Sequence, residues 1–192
     1  MNDQDLLRDA LEAEAEAQRA LLAGDTATAS ARFLEAAEHY RRSWERAGKT
    51  AYGRLVGMLK ATILGGGDVH EAAGYARRQV TDPASPTAWY VCGLAAAIRH
   101  DAGVMRNAAT GMRPGGPAFG RAADVLAALA EMDVGAAHTA IQAIHADFAE
   151  RDEHLTGVPI ADTALLLECL AARRGLAART RSALLPAGRT EG

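Results

Sequence analysis

Cysteine, lysine and aromatic residues are scarce in this chain of 192 residues. The two cysteines, Cys92 and Cys169, lie far apart in apolar runs, and no Cys-x-x-Cys spacing occurs. This excludes a disulfide framework and a thiolate metal site, and it fits small buried hydrophobes in a reducing compartment. Lysine occurs only at Lys49 and Lys60, against 19 arginines. Together with the wealth of alanine and glycine, this is the mark of a GC-rich, bacterial genome, so arginine abundance is not itself a sign of phosphate binding. The net charge is −3 and acids alternate with bases. A clustered basic footprint for nucleic acid is therefore missing. Long hydrophobic runs are missing too. The longest uncharged stretch, residues 83–98, is interrupted by Ser85, Pro86 and Thr87 and is too short to span a bilayer. The start, Met1-Asn2-Asp3-Gln4-Asp5, is acidic where a secretory signal would be basic and then apolar. The expectation is a cytoplasmic protein that binds neither nucleic acid nor membrane.

What the chain has in quantity is alanine, within a hydrophobic fraction of 49%. Alanine is the best helix former, and an alanine-rich core implies closely spaced helices. No strand signal competes; Gln79-Val80-Thr81 is too brief. Four times an aspartate follows a helical stretch and opens another: Gly24-Asp25, Gly67-Asp68, His100-Asp101 and Met132-Asp133. The intervals are 43, 33 and 32 residues. An aspartate there accepts hydrogen bonds from the free N–H groups of the next helix and suits its positive end. A glycine before it can end the preceding helix in the left-handed conformation. Four residues after each aspartate come Ala29, Ala72, Met105 and Ala137, and eight after come Phe33, Ala76, Ala109 and Ile141. Positions four apart share a helix face, so each second helix presents a small or apolar stripe to the first.

The pattern predicts helices over about residues 3–23 and 26–47, then 51–64 and 68–81. A pair flanks Asp101, with Ser85 as N-cap and Pro86 in its first turn, and a further pair flanks Asp133. Residues 111–117, with two prolines, read as a loop. An apolar helix follows over 158–174, Gly175 closes it, and a short helix ends near Leu185. Residues 1–186 form one domain and 187–192 a disordered tail.

This punctuation resembles the tetratricopeptide repeat. Gly24-Asp25, Ala29, Phe33 and Ala36 match its second-helix half. Pro86-Thr87-Ala88-Trp89-Tyr90-Val91-Cys92-Gly93 matches its first-helix half, with Trp89 and Gly93 at the signature places and Cys92 where leucine is usual. The resemblance spans roughly residues 1–150 at a period of about 34 residues. It departs from the motif at Glu16 and Asp124 for leucine, Lys60 for glycine and Arg121 for tryptophan. It implies an all-α, right-handed superhelical array of antiparallel helix hairpins, about ten helices in all, acting as a scaffold without catalysis. In that register Arg54, Met58, Tyr90, Val91, Leu94, Phe119 and Ala123 line an apolar concave groove. A groove of that kind binds a protein or peptide, or a second copy in a homodimer.

Catalytic and metal-binding patterns are incomplete. Gly65-Gly66-Gly67-Asp68 opens a helix but lacks the preceding strand and the Lys-Ser/Thr of a phosphate loop. His70-Glu71 begins like a zincin helix, but position 74 is glycine. His138, His145 and His154 lie near Asp147, Glu150, Asp152 and Glu153, yet only Glu150 and His154 have i, i+4 spacing; Glu35 and His39 share it elsewhere. No Gly-x-Ser-x-Gly elbow occurs. The expectation is therefore no enzyme, no cofactor and no metal. Two alternatives stand beside the interaction scaffold. Ile160-Ala161-Asp162-Thr163-Ala164-Leu165-Leu166-Leu167, with Gly175-Leu176 and Leu184-Leu185-Pro186, looks like the C-terminal part of an all-helical family of toxin-neutralising immunity proteins. The other is an enzyme using the His138–His154 region.

Overall fold

Each of the four punctuating aspartates caps a helix in the computed structural model, which describes residues 2–176 and 184–186. Asp25 Oδ1 accepts from the Thr28 amide at 3.0 Å, Asp68 from Glu71 at 2.9 Å, Asp101 from Val104 at 3.0 Å, and Asp133 from Ala136 at 2.9 Å. The turn before each cap is of one kind, except that before Asp68 the left-handed residue is Gly66 and not the expected Gly67, one residue further from the cap. A left-handed residue ends the preceding helix: Gly24, Gly66, His100 and Met132, with φ of 82°, 73°, 61° and 57°. The following amide reaches back five residues to a helix carbonyl, as in Asp25 to Ala20, Gly67 to Thr62, Asp101 to Ala96 and Asp133 to Ala128. Glycine serves twice; His100 and Met132 hold the same conformation at some steric cost.

These turns join α1 (Asp3–Leu22) to α2 (Thr26–Arg46), α3 (Gly53–Gly65) to α4 (Val69–Gln79), α5 (Pro86–Arg99) to α6 (Ala102–Met112), and α7 (Pro117–Glu131) to α8 (Val134–Ala149). A last helix, α9 (Asp162–Arg173), follows an irregular segment. The described residues are all-α: nine helices, one short 3-10 turn at Arg113–Gly115, and no strand. Consecutive helices pack on one another from α1 to α8, α3 also touches α5, and α5 touches α7. All eight stripe residues after the aspartates are buried, from Ala29 and Phe33 to Ala137 and Ile141.

Two expectations shift. Residues 111–117 are mostly helical, because α6 continues through Gly111 to Met112 and α7 starts at Pro117. Gly111 costs helix propensity, but the ring of Trp89 lies against its backbone; a Cβ there would meet the Trp89 ring at 2.3 Å. Trp89 is accordingly half-buried on α6, not wedged deep between hairpins. The last long helix begins at Asp162 and not near 158, since Pro159 favours an extended Val158. Val158 and Ile160 still enter the core. The expected short helix before Leu185 falls largely on 177–183, and the expected tail on 187–192; both lie outside the described residues. Leu184 accepts from the Ala161 amide at 3.0 Å and Leu185 is buried.

Close approach at three glycines sets helix spacing. Gly57 faces the Tyr40 ring, Gly93 faces Leu126 and Ala108, and Gly111 carries Trp89. Gly120, inside α7, meets nothing within 4 Å. The two kinds of glycine should respond oppositely to alanine. Gly111→Ala must push the base of the Trp89 ring aside and should cost about 1–3 kcal/mol. Gly120→Ala should gain about 0.5–1 kcal/mol through helix propensity alone. Urea unfolding of both variants checks the signs.

Candidate functional site

The face expected to form an open groove is interior. Met58, Tyr90, Val91, Leu94 and Ala123 are buried, the last three with no exposure at all. Arg54 and Phe119 are half-buried. Phe119 sets its ring edge-on to Tyr90, with centroids 6.2 Å apart. Arg54 donates to Ser43 Oγ at 2.7 Å and to Asp3 at 2.8 Å, which ties α3 to the start of α1. The cover is the chain itself: α9 packs on α3, α5 and α7, the helices that carry the strip, and on α8. Helical periodicity marks an apolar face but not what lies on it.

At the root of α9 is a charged centre. Lys60 on α3 sits among Leu55, Met58, Leu59, Ala61 and Ile63, with its ammonium 2.5 Å from Glu14 Oε1 of α1 and in direct contact with Asp162 Oδ2, in the first turn of α9. Glu14 is wholly buried, and Lys60 and Asp162 are 8% and 9% exposed. Tyr40 of α2 donates to the other Glu14 oxygen at 2.6 Å, and Gln18 to Oε1 at 3.3 Å. Gln18 in turn accepts from Thr156 Oγ1 at 2.5 Å, which fixes the segment before α9 to α1. The N-cap of α9 is Ala161, which has no side-chain acceptor, and Asp162 in the first turn is directed to Lys60. Burial alone would drive the Lys60 pKa down. The facing Asp162 and Glu14 carboxyls outweigh that and hold it well above the ordinary lysine value.

Beside this centre lies a cavity of about 150 Å³, lined by Gln18, Lys60, Asp162, Thr156, Thr163 and His154, with apolar walls from Phe148, Val158 and Ile160. Of the three histidines in the 138–154 region, only His154 reaches it. Its ring lies 6.0 Å from that of Phe148. His145 is buried on α8 and its Nε2 is 3.3 Å from Glu168 Oε1 on α9, a second polar link to that helix. His138 is half-exposed. His39 lies 3.8 Å from Glu35, as the spacing expects. Among the described residues no three His, Cys, Asp or Glu side chains are placed to share a metal ion. Sequence reasoning noted Lys60 only as a departure from the repeat. A lone lysine in the run Leu55 to Leu64, in a chain with two lysines, was the available signal. Glu14 is hidden among the acids of α1, and Asp162 reads as an ordinary first-turn acid.

Four buried or part-buried groups have their pKa values raised. A nucleophilic lysine needs a depressed pKa, and Lys60 has the opposite. Burial, then the Glu14 charge, pushes the Tyr40 phenol up. Burial also raises the Tyr90 phenol and the Cys92 thiol, the latter despite the nearby Arg77 guanidinium.

Removing Lys60 leaves Glu14 and Asp162 buried without their cation, so Lys60→Met should cost about 3–5 kcal/mol at pH 7. Adding Glu14→Gln and Asp162→Asn to that variant should return most of the loss, because no unpaired charge remains. The pH dependence has a definite sign. A lysine whose pKa is raised on folding stabilises fully below its unfolded value near 10.5 and loses that contribution as pH climbs past it. The raised phenols of Tyr40 and Tyr90 act in the same direction. Wild-type stability should fall from about pH 10 upward, and less steeply in Lys60→Met, by denaturant titration across pH 7–11. Separately, Met58→Glu with Tyr90→Glu should abolish the cooperative unfolding transition seen by circular dichroism, since both carboxylates would enter the core.

No family model matches the chain, no curated protein matches it, and no solved structure matches it.

Proposed function

We propose that the protein is a non-catalytic interaction module of the cytoplasm, a right-handed superhelical array of hairpins whose partner is a protein or peptide. The observation that carries this reading is the seat of α9. One helix from each of three successive hairpins, α3, α5 and α7, contacts the added helix α9, which also packs on α8. The seat has chemical preferences: a carboxylate in the helix's first turn for Lys60, and leucines spread around most of the helix. Helix-in-groove binding has this form. The resident occupant is α9, so the partner meets the outer surface of the hairpins.

The enzyme reading has one feature in its favour, the meeting of His154, Lys60 and Asp162 around a cavity. Against it stand the Lys60 ammonium, held protonated between two carboxyls, and the raised phenols and thiol. In the immunity-protein reading, residues 160–167 with Gly175-Leu176 and Leu184-Leu185-Pro186 carry the likeness; Ile160, Leu165, Leu166, Leu167, Leu176 and Leu185 among them are buried, so core packing accounts for the apolar part.

Affinity capture by the full-length chain, followed by reconstitution with the purified partner, tests the proposal. A complex of fixed stoichiometry by light scattering, without chemical turnover, is the expected result. A chain that stays alone at micromolar concentration with every captured candidate, or one with a turnover lost in His154→Ala, would sink it.

A further inference from the structure

Three arginines converge on one cleft. The C-terminal half of α4 supplies Arg77 and Arg78, and the end of α5 supplies Arg99; Ala96 and Val104 form an apolar floor. The cleft has a volume of about 350 Å³. It lies between one hairpin and the next, away from the α9 seat and the Lys60 centre. Arg77 is held in place, its Nη1 donating to the Val80 carbonyl at 2.7 Å and to Cys92 Sγ at 3.1 Å. Arg78 folds back over α4, where the missing side chain of Gly74 leaves room; a Cβ there would meet its Nη1 at 3.5 Å.

Local structure explains why each arginine stands where it does. Arg77 and Arg78 are in the last turn of α4 and Arg99 in the last turn of α5, where cations suit the helix dipole. It does not explain their company. Arg8, Arg32, Arg41, Arg54, Arg106, Arg113, Arg121 and Arg151 each pair with a carboxylate. Among the described residues, no carboxylate pairs with Arg77, Arg78 or Arg99. The one acid on the cleft, Asp101, is committed to capping α6 through the Val104 amide. A genome-wide bias toward arginine places guanidinium groups everywhere on the surface. Arg19 and Arg42 also stand outside the ion pairs among the described residues, but a genome-wide bias does not gather three such arginines around one concavity with a single acid on its rim.

We propose that this cleft is a recognition site for a multiply charged oxyanion. Guanidinium forks match the geometry of carboxylate and phosphate oxygens and bind them through parallel charge-assisted hydrogen bonds. The ligand chemistry is therefore two or more such oxygens on a small body that fits the floor of Ala96 and Val104. Clustered carboxylates and a pyrophosphate both present it. The site is independent of the interaction reading above, because it is measured on the chain alone.

The test is an NMR titration of the full-length, isotope-labelled protein at low salt with inorganic pyrophosphate and, separately, with citrate. The expected result is saturable shifts of the Gly74, Ala96 and Val104 amides with at least one probe, and the stronger probe identifies phosphate or carboxylate as the source. Arg78→Gln with Arg99→Gln should weaken binding about tenfold or more, the scale of one or two lost charge-assisted hydrogen bonds. Both residues are exposed, so the fold persists, and circular dichroism verifies it. Arg8→Gln with Arg106→Gln should leave binding unchanged. No saturable shift with either probe, equal binding in the cleft variant, or equal loss in the Arg8/Arg106 control would overturn the site.

Discussion

One ammonium organises this fold. Lys60 brings together α1 through Glu14 and α9 through Asp162, a residue 102 positions further along the chain, while Tyr40 of α2 holds the same Glu14. An alanine-rich interior needs such a point. Small side chains let helices approach closely, but they interlock poorly and leave neighbouring registers similar in energy. A buried cation with two carboxyl partners has a single satisfactory arrangement, since any slip leaves a charge unpaired in a dry interior. The Lys60 centre thus adds directional constraint where packing supplies mainly contact. His145 and Glu168 add another link between α8 and α9.

The same centre decides what the hairpin face can be. Leu165, Leu166, Leu167 and Leu170 of α9 are buried, each worth about 1.5–3 kcal/mol in removal from water. Added to the ion pair, this makes α9 a permanent part of the core and not a loosely held strap. The face of α3, α5 and α7 is then a solved problem for this chain: its apolar strip has found its cover. On the outside, acids and arginines alternate, and eight of the arginines pair with carboxylates.

Local chemistry was legible in the sequence, and distant chemistry was not. The four aspartate caps and the buried stripe four and eight residues later depend on neighbours within two helical turns and stand as the spacing predicts, while the left-handed glycine falls at the expected place only at Gly24. The apolar strip from Met58 to Ala123 was likewise identified, because periodicity reports which residues share a face. Its exposure was not, because the cover comes from residues 162–173, and no local rule says where a helix that follows an irregular segment will land. Glu14 shows the limit most clearly. In α1 it is one acid among several, and only the arrival of Lys60 and Tyr40 makes it the most buried charge in the described residues.

Lys60 was visible as an anomaly before its role was. A glycine inside such a helix has a steric role: a small residue lets neighbouring helices come close, as Gly93 does for Ala108 of α6 and Leu126 of α7. A lysine at the corresponding place cannot serve close packing, and its presence in an apolar helix implies either a waiting anion or a site kept open for chemistry. The distinction lies in the direction of its pKa. Open for chemistry, it would be depressed and reactive; bound to its own carboxylates, it is raised and inert. Lys60 is of the second kind. The lysine in this helix is therefore structural in origin: it gives up a close helix–helix contact for an electrostatic anchor, and that anchor brings the C-terminal helix onto the face that the hairpins would otherwise have left bare.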